Sequence, residues 1–289
     1  MSTSTEVTRV GVVGCGLMGS GIAEVSARAG LDVVVLEADE PAVDAGRARV
    51  EASLAQAVRR GKLTEDVRGE TLDRIAFTWE ADALADRQVV IEAVPEIEDL
   101  KLETFRRIDK VLADDRAVLA SNTSSIPIMK LAMATSRPES VVGIHFFNPV
   151  PVLNLVELVP SLLTAPAVEE TAASLASGQL GKHVIRSQDR AGFVVNALLI
   201  PYLLSSIRML ESGFATAEDI DTGMMQGCAH PMGPLALSDL IGLDTVMAVA
   251  QSMYDEFKEP LYAPPPMLLR MVDAGLLGRK SGRGFHQYG

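Results

Sequence analysis

Residues 9–37, RVGVVGCGLMGSGIAEVSARAGLDVVVLE, decide the fold. Arg9 to Val13 is a short β-branched run, Leu17 to Ala29 spaces its apolar residues as a helix does, and Asp32 to Glu37 reads as a second buried strand. The link between the first strand and the helix, Gly14-Cys15-Gly16-Leu17-Met18-Gly19, has the pattern GxGxxG. A glycine-rich turn alone is a weak signal, but this one follows a strand, opens a helix and is trailed by an acid, Glu37, at the end of the next strand. Gly14 allows the tight turn, Gly16 lets a pyrophosphate approach the backbone, and Gly19 lets helix and strand pack closely. The helix start at Leu17 and Met18 offers free N–H groups to an anion, and Glu37 would accept the adenosine ribose hydroxyls. A bound dinucleotide is the reading adopted; a structural turn without ligand is its competitor. Glu37 would repel a 2′-phosphate and Ala38 follows it, so NAD is expected over NADP; Arg47 is the nearby cation that would reverse this. Cys15 reads as a small loop residue, with no neighbour to act as its base.

Working outward, buried-strand candidates recur at Ile75–Phe77, Gln88–Ala93, Ala117–Ala120 and Val141–Phe146. Helical patterns at Pro41–Arg60, Glu98–Leu112 and Pro127–Ala134 lie between them. Strands alternating with helices imply an α/β domain with a doubly wound, mainly parallel sheet covered on both faces. After Glu157 the pattern changes to a helix near Val168–Gln179, a strand at His183–Arg186, and then almost only helical spacing. A first domain over 1–186 followed by an all-α domain over 187–289 is expected. Gly213 should end one helix, and Thr216-Ala217-Glu218-Asp219 should start the next as a capping box. The helix expected from Ala191 to Leu210 is apolar nearly all round, so its own domain or a second copy of the chain must cover it. A homodimer through this domain is the expectation.

Composition narrows the function. Lys and Arg total 26 against 38 Asp and Glu, a net charge of -12 that opposes nucleic-acid binding. With 48% hydrophobic residues, the chain has ample material for a packed core. The two cysteines, Cys15 and Cys228, lie far apart without ligand spacing, so neither a disulfide framework nor a metal site is expected and a reducing cytoplasm fits. Met1–Thr8 is polar, unlike a secretory signal. The longest apolar run, Gly192–Leu204, is broken by Asn196 and Pro201, and reads as a buried helix and not a membrane span.

His145 ends a buried strand in VVGIHFFNPVPVLNLVE (141–157), and polar groups at strand ends face the ligand crevice in such sheets. A nicotinamide enzyme needs a side chain that takes the hydroxyl proton as hydride leaves the same carbon, and histidine suits that task. Glu157 could return on an adjacent strand, bond the other ring nitrogen and fix the tautomer. A histidine satisfied by backbone is the competing reading, and it is the one taken for His183, His230 and His286. Asn122, Thr123, Ser124 and Ser125 either cap a helix before Pro127 or turn the Ser124 hydroxyl into the crevice. Asn196, an amide in an apolar helical run, needs a structural or substrate partner.

GCGLMGSGIA, ASNTSS, HFFNPVPVLNLVELV, DRAGFVVNALLIPYL, HPMGPLALSDLIGLD and GRKSGRGF, in this order, together resemble the L-3-hydroxyacyl-CoA dehydrogenase family from about Arg9 to Tyr288. The resemblance implies a Rossmann-type N-terminal domain, a helical C-terminal dimerisation domain, and NAD-linked interconversion of an (S)-3-hydroxyacyl-CoA with its 3-ketoacyl-CoA. Four carbons is the chain length it suggests. By motif, it makes His145, Glu157, Ser124 and Asn196 the active site. It places Gly14, Gly16, Gly19, Glu37, Glu96, Lys101, Asn148 and Lys280 near the cofactor, and Ser53 and Arg60 at the CoA tail, where Arg59 and Lys62 add cations. The chain departs from the usual pattern with Glu37 for aspartate, Ala191 for proline and His286 for an aromatic. A dehydrogenase of carrier-tethered acyl groups and a non-catalytic nucleotide binder are the alternatives.

Overall fold

The computed structural model describes residues 6–289; residues 1–5, part of the Met1–Thr8 stretch read above, lie outside the described residues. The chain divides into two compact units, 1–189 and 190–289.

In the first unit, β1 (Arg9–Val13) leads to α1 (Leu17–Arg28), and β2 (Asp32–Leu36) to α2 (Glu40–Arg59). Asp39 caps α2 by accepting from the Ala42 N–H at 2.9 Å. A further helix, α3 (Glu65–Asp73), precedes β3 (Ile75–Thr78). The sequence reading has no element at α3, because EDVRGETLD carries no apolar stripe and buries only Thr71. Then come β4 (Val89–Glu92), α4 (Glu98–Val111), β5 (Val118–Ser121), α5 (Ile128–Ala132), β6 (Val141–Phe146), β7 (Leu155–Pro160), α6 (Pro166–Ser174) and β8 (His183–Arg186). The expected helix to Gln179 loses its regular form after Ser174, where the Leu180 N–H reaches back to the Leu175 carbonyl in a wider turn.

The eight strands form one sheet in the order β3-β2-β1-β4-β5-β6-β7-β8, with β6 and β7 antiparallel and the other pairs parallel. Successive strands are added toward one edge up to β3 and toward the other from β4, so the order of strands switches between the parallel β1 and β4, the place where such sheets hold a ligand at the strands' carboxyl ends. Val10, Val12, Val33, Val35, Val89 and Ile91 pack with Ile22 and Ala23 of α1 and Val50 and Leu54 of α2. Burial on both faces is why these strands read as continuous and not alternating apolar runs.

The second unit holds α7 (Val195–Glu211), α8 (Ala217–Gly227), α9 (Pro234–Ile241), α10 (Leu243–Phe257) and α11 (Pro266–Asp273). Leu203, Leu204, Ile207, Leu235, Val246, Ala250 and Met253 form its core. Thr216 caps α8 by accepting from the Asp219 N–H at 3.1 Å. Two expectations are corrected. The first long helix starts at Val195, not Ala191, because Gly192 (φ 82°) and Phe193 (φ 47°) hold left-handed backbone. Nor is it buried all round: Ile200, Leu203, Leu204 and Ile207 face the core, whereas Leu198 is 75% exposed. Asp239 in α9, almost fully buried, accepts from the Phe285 and His286 N–H groups and the Tyr288 hydroxyl, each at 2.9 Å. Among the described residues, no single helix is long and apolar enough to cross a membrane.

Candidate active site

At the glycine turn, Gly14 has φ 86°, and a Cβ there would lie 2.9 Å from the Ala93 carbonyl oxygen. A Cβ on Gly19 would overlap the Gly14 carbonyl oxygen at 1.8 Å, so close packing of α1 on β1 demands glycine. Gly16 differs: a Cβ there would meet no protein atom within 4 Å. The protein's own packing therefore does not require glycine at Gly16, as expected of a position a ligand approaches. No side chain caps the first turn of α1, which leaves its N–H groups as anion donors, and Leu17 beside them is exposed. Glu37 accepts from the Cys15 N–H at 2.5 Å and the Ala38 N–H at 3.3 Å, so it braces the turn from the end of β2. Arg49 holds the Cys15 carbonyl at 2.6 Å. Burial, then the Glu37 carboxylate, pushes the Cys15 thiol up to about 12, an inert structural thiol. Arg47 stacks over Phe77, 4.7 Å from the ring centroid. These residues fit a dinucleotide.

Across the switch point, β6 and β7 pair in antiparallel register with His145 opposite Glu157. Their rings and carboxyls meet because residues paired this way project to the same face. His145 is 4% exposed and Glu157 fully buried. Nδ1 of His145 lies 2.7 Å from Glu157 Oε2, and Nε2 lies 2.9 Å from the Ser124 hydroxyl oxygen. A carboxylate accepts only, so Nδ1–H donates to it and Nε2 is left to accept from Ser124. Phe147 packs edge-on against the imidazole at 4.7 Å. Asn122 accepts from the Phe146 N–H at 2.8 Å, fixing the end of β6.

Ser124 sits in the loop after β5, and Glu96 holds that loop. One oxygen of Glu96 accepts from the Thr123 hydroxyl at 2.5 Å, the Ser124 N–H at 2.9 Å, and the Ser125 N–H and hydroxyl at 3.0 and 2.9 Å. Burial alone would raise the Glu96 carboxyl, but the Lys101 ammonium and these hydrogen bonds outweigh it and hold it below its ordinary value. Lys101 itself is 1% exposed, its ammonium 2.6 Å from Glu92 and 3.3 Å from Glu96. Glu92 escapes sequence reasoning; an acid closing an otherwise apolar buried strand is the signal that could have found it. Asp189 was missed as well: it accepts from the Ile128 and Met129 N–H groups at 2.7 Å each, at the start of α5.

The structure thus brings Ser124, His145 and Glu157 together. Asn148, exposed, lies in the β6–β7 connection. Ser53 donates to the buried Glu24 at 2.5 Å, while Arg59, Arg60 and Lys62 are exposed and, among the described residues, make no ion pair. Asn196 and Lys280 belong to the second unit. Asn196 is the second residue of α7, half-buried, and its side chain makes no hydrogen bond among the described residues; Lys280 pairs with Asp244 at 2.6 Å. His286 bonds Asp221 at 2.8 Å and His230 lies 3.1 Å from the Tyr202 hydroxyl, so both find side-chain partners within that unit and not the backbone partners expected.

Comparison with known proteins agrees with this geometry. Residues 9–190 match the NAD binding domain of 3-hydroxyacyl-CoA dehydrogenase, and residues 192–288 match its C-terminal domain. A 3-hydroxybutyryl-CoA dehydrogenase of Mycobacterium tuberculosis is 60% identical over 285 residues, 99% of this chain and 100% of that one. The crystal structure of M. tuberculosis FadB2 superposes with a TM-score of 0.98 at 59% identity, covering 99% of this chain and all of that one. That of (S)-3-hydroxybutyryl-CoA dehydrogenase PaaH1 from Ralstonia eutropha gives 0.92 at 44% identity, covering 98% and 100%. With both halves matched in order and a histidine–acid pair at the end of its sheet, the chain belongs to the 3-hydroxyacyl-CoA dehydrogenase family.

Proposed function

We propose that this protein interconverts (S)-3-hydroxybutyryl-CoA and acetoacetyl-CoA with NAD(H), as a cytoplasmic homodimer. The observation that carries the reading is the continuous hydrogen-bonded chain from the Ser124 hydroxyl through both nitrogens of His145 to Glu157. NAD, when bound, supplies the hydride acceptor at its nicotinamide ring. In the oxidative direction, His145 Nε2 takes the proton of the C3 hydroxyl while hydride leaves C3; in reduction, the imidazolium returns that proton to the C3 oxygen. Glu157 holds the tautomer in which Nε2 carries no proton and stabilises the imidazolium. Ser124 and Asn196 hydrogen-bond the substrate oxygens and set C3 in line for transfer. Glu37 selects the ribose hydroxyls of NAD, with Glu96, Lys101, Asn148 and Lys280 serving the rest of the cofactor site. Arg60, with Arg59 and Lys62, offers the CoA phosphates cations that make no ion pair among the described residues, and Ser53 stands about two turns before Arg60.

The test is a steady-state comparison of acetoacetyl-CoA and longer 3-ketoacyl-CoAs with NADH and NADPH. The reading expects robust reduction of acetoacetyl-CoA by NADH; activity only on a carrier-bound acyl group, or NADH binding without turnover, contradicts it. His145→Gln should lower turnover by about 10²- to 10⁴-fold while NADH still binds, and near-normal turnover would remove His145 from its role.

A further inference from the structure

Glu92, the last residue of β4, is fully buried, and no step above uses it. Its carboxylate is the root of two arms. Oε2 accepts from the Ser121 hydroxyl at 2.6 Å, and Ser121 Oγ in turn accepts from the Thr123 N–H at 3.1 Å. Oε1 accepts from the Lys101 ammonium at 2.6 Å; that ammonium also donates to the Val94 carbonyl at 3.1 Å and faces Glu96 Oε2 at 3.3 Å. The opposite oxygen of Glu96 accepts from the Ser124 and Ser125 N–H groups. The two arms therefore grip three successive peptide N–H groups, those of Thr123, Ser124 and Ser125.

We propose that Glu92 is a positioning residue for the reaction, fixing the Ser124 hydroxyl against His145 Nε2 through Ser121 on one side and Lys101–Glu96 on the other. The inference rests on the role given to Ser124 under the proposed function. Its physical basis is geometric: a serine whose own N–H and those of both neighbours are anchored cannot drift, and misplacing a reacting group by about 1 Å costs on the order of 10²-fold in rate. A buried ammonium needs its acid. With Glu92→Gln, the amide cannot match Lys101 in charge, and the ammonium is left to draw Glu96 off the loop. A network of this kind contributes to rate only through the residue it places, which separates it from a purely structural ion pair.

A double-mutant cycle tests this. Acetoacetyl-CoA reduction and NADH binding by fluorescence titration are measured for wild type, Glu92→Gln, Ser121→Ala, Ser124→Ala and the two doubles with Ser124→Ala. At saturating NADH, Glu92→Gln should lower kcat by about 10- to 100-fold and Ser121→Ala, which cuts one arm and leaves the ion pair, by about 3- to 10-fold, with the NADH Kd of Ser121→Ala and Ser124→Ala within about threefold of wild type. Neither substitution should cost anything further in the Ser124→Ala background. The same loss in that background, unchanged kcat in Glu92→Gln, or a loss in Ser121→Ala matched by weaker NADH binding overturns the proposal. Should Glu92→Gln not fold, the Ser121→Ala pair completes the cycle. Normal turnover in Ser124→Ala alone is a separate outcome: it removes the role of Ser124 itself.

Discussion

At Glu96, one carboxylate oxygen collects four donors while 32% of the side chain still reaches solvent. Because its folded value lies below its ordinary one, it stabilises the folded chain above the ordinary value and loses that contribution as pH falls through the folded value. Urea midpoints of the wild type should therefore fall on acidification below about pH 4.5, and Glu96→Gln should show a flatter curve over that range; parallel curves would contradict the role of Glu96. The sequence suggested Glu96 and Lys101 only as cofactor neighbours by resemblance. What hid their mutual pairing is that Lys101 occupies the buried stripe of α4 with Phe105 and Ile108, at spacings where a hydrophobic residue is expected. His145 and Glu157 were legible, because an imidazole and an acid in buried strands are costly without a partner and so point to one another.

Among the elements, the turn between β1 and α1 separates two uses of glycine. Gly19→Ala would force a side-chain carbon onto the Gly14 carbonyl, so it should lower thermal stability markedly and weaken NADH binding with it. Gly16→Ala meets open space and should fold with a Tm within about 2 °C of wild type, yet bind NADH at least about tenfold more weakly. Equal NADH affinity in Gly16→Ala would dismiss the turn as a pyrophosphate cradle. The parallel strands could be read from sequence because burial on both faces writes them as unbroken apolar runs. The start of α7 could not, since Ala191–Val194 is as apolar as the helix and only the backbone of Gly192 and Phe193 holds it out. Nor could α3, whose exposure leaves no periodic pattern.

For the molecule as a whole, the proposed pairing of two copies explains a helix that offers Leu198 to solvent within one chain while its other side lines a core. Leu198→Glu should shift sedimentation equilibrium from dimer toward monomer by at least about tenfold in the dissociation constant, and a wild type monomeric at micromolar concentration would reject the pairing. That a second, helical unit follows the sheet was legible from the change in spacing after Glu157; how its tail is secured was not, because a lone aspartate in PLALSDLI does not announce its partners. Among the described residues, Asp239 finds them in residues 285–288. A cut or substitution that takes those donors away would strand a carboxylate inside the helical core, so the grip of one side chain in α9 on residues some 46 positions downstream makes that stretch a clasp and not a loose strand.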